Sequence, residues 1–137
     1  DPTNRTSEQI TLTGDIPSAR YHHAMVVIGD YIYIFGGYSG DNWGDRNNDL
    51  YKIDTTNNKS KAITLTGDIP SERNDHSMVV IGGNIYIFGG YSGERYRNTD
   101  LYKITINVLN IAYLKLYDSL KTPDELNTIY TLHSYTF

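Results

Sequence analysis

Two Arg-x-x-His elements, Arg20-Tyr21-His22-His23 and Arg73-Asn74-Asp75-His76, hold the side chains of this 137-residue chain best suited to chemistry. An imidazole can act as a general base or a metal ligand, and a guanidinium can hold an anion. Asp15 and Asp68 each follow a glycine in a turn and could form a pair of hydrolytic carboxylates. The spacing argues against each of these uses. A metal needs three or four converging ligands, and no His-x-x-x-His or Glu-x-x-His pattern is present. His22 has no counterpart in the second element, where Asp75 stands. The chain has no cysteine, which excludes a thiolate ligand, a cysteine nucleophile and a disulfide. Arg20, His23, Arg73 and His76 recur at matched places, as residues with a repeated scaffold duty do. For the histidines that duty is a partly buried ring hydrogen-bonded to the neighbouring unit. For the arginines it is an ion pair with Asp49 and Asp100, or bonds to strand-end carbonyls. Asp15 and Asp68 are expected to bond their own turn backbone. No catalytic, metal or cofactor residue is expected, and the chain reads as a non-enzyme.

The elements that position these residues come in two copies. Ile10–Gly40 and Ile63–Gly93 match at 25 of 31 positions with an offset of 53. Repetition at this period marks a unit that stacks on copies of itself. Each unit divides into short runs rich in Val, Ile, Tyr, Phe and Thr, which suit strands. The runs are His23–Ile28, Tyr31–Phe35, Asp49–Ile53 and Ser60–Leu65, then His76–Ile81, Asn84–Phe88, Asp100–Ile104 and Asn110–Tyr117. Gly29-Asp30 and Gly82-Gly83 suit tight hairpins. Tyr31–Phe35 is apolar on both faces, so its sheet must lie between two others. Stacked four-stranded sheets of this kind are blades of a β-propeller. The doublets Gly36-Gly37 and Gly89-Gly90 close the second strand, where another chain segment can approach the backbone closely.

These motifs resemble the kelch repeat, in its Arg-x-x-His variant. The resemblance rests on the Arg-x-x-His elements, the Gly-Gly doublets after Tyr-Ile-Phe, the Asn48-Asp49-Leu50-Tyr51 and Thr99-Asp100-Leu101-Tyr102 strands, and the Thr-Gly-Asp-Ile-Pro connections, and it covers about residues 7–104. It implies an all-β fold of two four-stranded antiparallel blades of an incomplete propeller, a fold of commonly six blades in this family. Residues 1–13 would hold the outer strand of a preceding blade, 14–66 the first blade, 67–117 the second and 118–137 a tail outside the repeat. In the tail, Thr122-Pro123-Asp124-Glu125 reads as the start of a short helix, with a decayed third repeat as the rival reading. The family usually has a Trp where Ser7 and Ser60 stand here, so the outer strands lack a large anchor. The copper radical oxidases of this fold need a tyrosine–cysteine cross-link that a cysteine-free chain cannot form. The iron site of the related specifier proteins uses a Glu-x-x-x-Asp-x-x-x-His pattern that is absent.

The function implied by the resemblance is a protein-binding module, acting as an adaptor or scaffold through its loops. The loops differ most between copies: Asp41–Asn47 is two residues longer than Glu94–Asn98, which shifts the offset to 51. In an up-and-down blade one face of the ring collects Tyr38, Asn42, Trp43, Asp45 and Arg46 from the first unit, and Asn74, Tyr91, Glu94, Arg95, Tyr96 and Arg97 from the second. Interface hot spots are rich in Trp, Tyr and Arg. The alternatives are a self-associating structural repeat and part of an enzyme whose catalytic residues lie elsewhere. The formal charge of −4 without a basic cluster argues against nucleic acid, and no apolar run approaches the length of a membrane span. The lack of cysteine fits a reducing compartment such as the cytoplasm. Two blades alone leave apolar faces open, so the chain is expected to be a piece of a larger propeller or to associate with itself.

Overall fold

The computed structural model describes residues 3–40, 45–93 and 96–106. Ten strands lie in these residues: β1 (Thr13–Gly14), β2 (Arg20–Tyr21), β3 (Ala24–Ile28), β4 (Tyr31–Phe35), β5 (Tyr38–Ser39), β6 (Leu50–Asp54), β7 (Lys59–Ile63), β8 (Ser77–Ile81), β9 (Asn84–Phe88) and β10 (Leu101–Ile104). No helix occurs among the described residues. The fourth strand expected at residues 110–117 and the helix expected from Thr122 lie outside them.

The first blade is an antiparallel meander in the order β3-β4-β6-β7, with β1 added at the outer edge. Ile28 pairs with Tyr31 and Ile81 with Asn84, so two residues close each inner hairpin. In the second blade those two, Gly82 and Gly83, both take positive φ (59° and 76°), as a tight hairpin twisted to match its strands requires. The second blade is the three-stranded sheet β8-β9-β10 within the described residues, and β2 pairs with β5 to brace the loops of the first blade. One pairing differs from any expectation drawn from the sequence. Thr13 and Gly14 run parallel to Lys59 and Ser60 of β7, with the Asp15 amide donating to the Ser60 carbonyl at 2.9 Å. Asp15 also departs from its expected role. Its carboxylate accepts the Ala62 amide at 3.1 Å, tying the incoming chain to the outer strand rather than to its own turn.

Alternation along the strands sends side chains to opposite faces. Tyr33 and Phe35 of β4, with Leu50 of β6, face the second blade. There they form one buried cluster with Ile85 and Ile87 of β9 and Ile104 of β10. Each such buried side chain contributes about 1.5–3 kcal/mol. Burial also pushes the Tyr33 hydroxyl up to about 12, with the neighbouring Tyr31 adding to the shift. The blades therefore share a single core, which lies between them rather than inside either sheet.

Candidate functional site

The site is built outward from two buried arginines. Arg20 donates from Nη1 to the Gly36 carbonyl at 3.1 Å and to Asp49 Oδ1 at 2.6 Å, and from Nη2 to Asp49 Oδ2 at 3.2 Å. Arg73 repeats the arrangement in the second blade. Its Nη1 donates to the Gly89 carbonyl and to Asp100 Oδ1, both at 3.0 Å. Each guanidinium also sits over a tyrosine ring, Tyr51 at 5.4 Å and Tyr102 at 5.3 Å. The bond from Arg73 holds the Asp100 carboxyl below its ordinary range. With these donors engaged inside the fold, the two arginines anchor the Gly-Gly loops to the β6 and β10 strands.

The Gly-Gly loop of the first blade receives the second blade. The Gly37 amide donates to the Arg73 carbonyl at 2.8 Å, and the Arg73 amide donates to the Asn47 carbonyl at 3.2 Å. The His76 ring then packs edge-on against Phe35, with centroids 5.5 Å apart. The ring is buried, and the polar group that acts on it from the neighbouring blade is the Phe35 backbone. Neither ring nitrogen has a partner in hydrogen-bond geometry. Burial, partly opposed by the Phe35 backbone, pushes its pKa down to about 4. His23, at the matching place in the first blade, is exposed.

Above this junction a second set of contacts crosses between the blades. The Arg46 guanidinium lies 4.6 Å from the centroid of the Tyr38 ring, bonds the Tyr38 hydroxyl, and donates from Nε to Asn74 Oδ1 at 2.8 Å. Asn74 donates in turn to Asp75 Oδ2 at 2.7 Å. Asp75 Oδ1 lies 2.7 Å from His22 Nδ1, and the Asp75 amide donates to the His22 carbonyl at 3.1 Å. His22 and Asp75 share a left-handed backbone (φ 56° and 55°), which turns both side chains toward this junction. His22, Tyr38, Arg46, Asn74, Asp75 and Tyr91 line a cleft of about 320 Å³.

The loop residues expected to meet a partner thus divide into two groups. Tyr38 and Asn74 are buried and form the floor of the cleft. Arg46 is half-buried over them, while Asp45, Tyr91, Tyr96 and Arg97 are exposed at the rim. Asn42, Trp43, Glu94 and Arg95 lie outside the described residues. Two features escaped the sequence reading. The amides of Asn47 and Asn98 brace their loops by donating to the Gly37 and Gly90 carbonyls at 3.1 and 3.3 Å. Their recurrence at the shifted offset of 51 was the available signal. The His22–Asp75 pair had none, because the two occupy the same place in different repeats. No group of three or more His, Asp or Glu that could hold a metal occurs among the described residues.

Antiparallel blades meshed face to face, with their loops braced at one end, make this an unclosed β-propeller. The chain belongs to the kelch-repeat family: the KLHDC2/KLHL20/DRC7 Kelch-repeats domain model matches residues 1–134. It is 32% identical over 116 residues to Kelch domain-containing protein 3 of Bos taurus, covering 82% of this chain and 30% of that protein. It is 33% identical over 98 residues to the leucine-zipper-like transcriptional regulator 1 homolog of Drosophila melanogaster, covering 69% of this chain and 10% of that protein. It is 33% identical over 113 residues to the Rho GTPase-activating protein gacHH of Dictyostelium discoideum, covering 78% of this chain and 7% of that protein. The chain thus spans less than a third of the length of these curated relatives. Kelch repeats generally mediate protein interactions.

Proposed function

We propose that this chain is a protein-interaction module that binds a protein partner with the loop face of its two blades and catalyses no reaction of its own. The observation that carries this reading is the division of the loop residues. The buried floor of Tyr38, Asn74 and the crossing Arg46 locks the two blades together, and above it stands an exposed rim of Tyr91, Tyr96 and Arg97. A rigid floor holds the rim side chains at low entropic cost, as preorganised binding surfaces do. Trp43 and Arg95 fall in the same two loops and extend the Trp-Tyr-Arg composition typical of hot spots. The relatives point the same way. Two of them carry names as different as a Rho GTPase-activating protein and a transcriptional regulator, and what this chain matches is a small part of each.

The test is a double substitution, Trp43→Ala with Tyr96→Ala, in a chain used as bait for partners from a lysate. Partner capture should be lost while the far-ultraviolet β spectrum is kept, because Tyr96 is exposed and supports no core residue. Capture at the wild-type level by the double variant would remove these loops from the binding surface.

A further inference from the structure

We propose that His22 and Asp75 form a proton-operated latch between the two blades, in which charging the imidazole turns a hydrogen bond into an ion pair and tightens the loop face in mildly acidic solution. The latch stands on contacts within the chain and holds whether or not the loop face meets a partner. Four side chains in a row build it. Arg46 of the first blade donates from Nε to Asn74 Oδ1 of the second at 2.8 Å, and Asn74 Nδ2 donates to Asp75 Oδ2 at 2.7 Å. Asp75 Oδ1 then lies 2.7 Å from Nδ1 of His22, back on the first blade. A guanidinium only donates and a carboxylate only accepts, so the Asn74 amide has a single workable orientation. For the same reason His22 Nδ1 must carry a proton wherever the Asp75 carboxylate is ionised. The proton that comes and goes is therefore the one on Nε2, and a ring that is half exposed can exchange it with water.

The backbone holds both residues for this contact. Among the described residues three positions other than glycine take positive φ, and two of them are His22 (56°) and Asp75 (55°). The third, Asn58, lies in the turn between β6 and β7. Residues with side chains enter this region at a cost, and they stay there where the surroundings hold them. Here the Asp75 amide donates to the His22 carbonyl at 3.1 Å, so the main chain fastens the two loops whichever charge the ring carries. The Tyr21 and Tyr38 rings meet the imidazole edge-on, with centroids at 5.0 and 6.4 Å. The ring is thus kept in place while its charge changes. The two residues also hold the same place in the two repeats. A histidine in both would set like charges together in acid, and an aspartate in both would do so at neutral pH.

The charges around the ring set the direction of the response. Asp75 is the anion in contact with it, and Arg46 is the other charged residue lining the same cleft. Arg46 is engaged by the Tyr38 hydroxyl and by Asn74, and the Asp75 carboxylate stands between the two cations in the row. Tyr21, Tyr38 and Tyr91, the other titratable groups around the cleft, carry no charge in the range where histidine titrates. His23 follows in the chain, and His76 lies buried in the same junction. The nearest charge is therefore of opposite sign, and the folded contact favours the charged ring. Its contribution is present while the ring is charged and is lost as the pH rises and the ring gives up its proton. On the acid side it ends where Asp75 itself takes a proton. This is the reverse of the response of His76, whose ring burial keeps neutral. The His22 and Asp75 side chains are 51% and 45% exposed, so solvent screens the pair and limits it to about two- to fivefold in the unfolding equilibrium.

The test is a double-mutant cycle on the 137-residue chain: wild type, His22→Asn, Asp75→Asn and the two together. Each is unfolded with denaturant at about pH 8 and at about pH 5.5, on either side of the ordinary histidine titration. Asparagine tolerates a left-handed backbone, so the substitutions remove the charges without adding strain at either position. His76 is present in all four chains, and its own response cancels in the cycle. The coupling between positions 22 and 75 should grow by about two- to fivefold in the unfolding equilibrium constant on going to the lower pH. Coupling that is equal at the two pH values, or weaker in acid, would overturn the proposal. A second measurement needs no variant. Ring nitrogen chemical shifts of the wild-type chain at about pH 8 should show His22 protonated at Nδ1 and bare at Nε2. A neutral His22 ring protonated at Nε2 instead would overturn the proposal as well.

Discussion

His76 is the residue whose environment departs most from its chemistry. Its ring is buried against Phe35, its nitrogens lack partners, and Arg73, Asp75 and His23 are the charged or titratable groups that act on it. With a pKa pushed down to about 4 from an ordinary 6.5, the ring takes a proton more readily in the unfolded chain than in the folded one. Stability from this site is therefore complete above pH 6.5 and falls as the pH drops from 6.5 to about 4. Below that no further loss comes from His76. Asp100 and Asp54, whose carboxyls are held below the ordinary 3.8 by the Arg73 guanidinium and by Thr56 respectively, begin to lose their contributions only in that lower range. The two windows are separable. The melting temperature should decline between pH 6.5 and 4 in the wild-type chain, and the decline should flatten in His76→Phe, which keeps a flat ring and removes the proton site. A wild-type melting temperature that does not change over that window would show that the ring is not held neutral by burial.

At the scale of elements, the repeat supplies its own control. Gly36 and Gly89 follow the same Tyr-Ile-Phe strand ends and share a left-handed backbone, so alanine at either position meets the same backbone penalty of about 1–2 kcal/mol. Gly36→Ala adds a clash with the Arg73 carbonyl and His76, and Gly89→Ala adds none. Chemical denaturation of the two variants at low protein concentration should therefore show Gly36→Ala as the less stable by about 1–3 kcal/mol, the range for overpacking; equal losses would mean that the blades do not press together at this point. The strands were legible because their pattern is strong. β4 and β9 fall on the expected residues, and β3, β6, β7, β8 and β10 shift by a residue or two, since hairpin registers and apolar alternation fix strand centres better than strand ends. The Arg20–Asp49 and Arg73–Asp100 pairs were legible because both partners recur with the repeat. β1 was not, since two residues carry no periodicity and its partner lies more than forty residues away. The division of the loops into floor and rim was equally hidden. Tyr38 and Tyr91 are the same residue in the same repeat position, yet Tyr38 is buried beneath the stacked Tyr21 ring while the second repeat has Asn74 in that place and leaves Tyr91 exposed.

That last contrast governs the whole molecule: burial here belongs to the neighbour, not to the residue. Phe35 and Phe88 have the same type, strand and repeat position, yet one is sealed in the shared core and the other is half open. Phe35→Ala removes a side chain from the cluster that joins the blades and should cost about 3–5 kcal/mol. Phe88→Ala should cost under about 1 kcal/mol, as an exposed substitution does. The core is common to both sheets, so the damage from Phe35→Ala should not stay in the first blade. Amide exchange in β8, β9 and β10 should accelerate along with that in β3, β4 and β6, because Ile85 and Ile87 lose their cover. Exchange that accelerated in the first blade alone would mean that each blade is stable by itself.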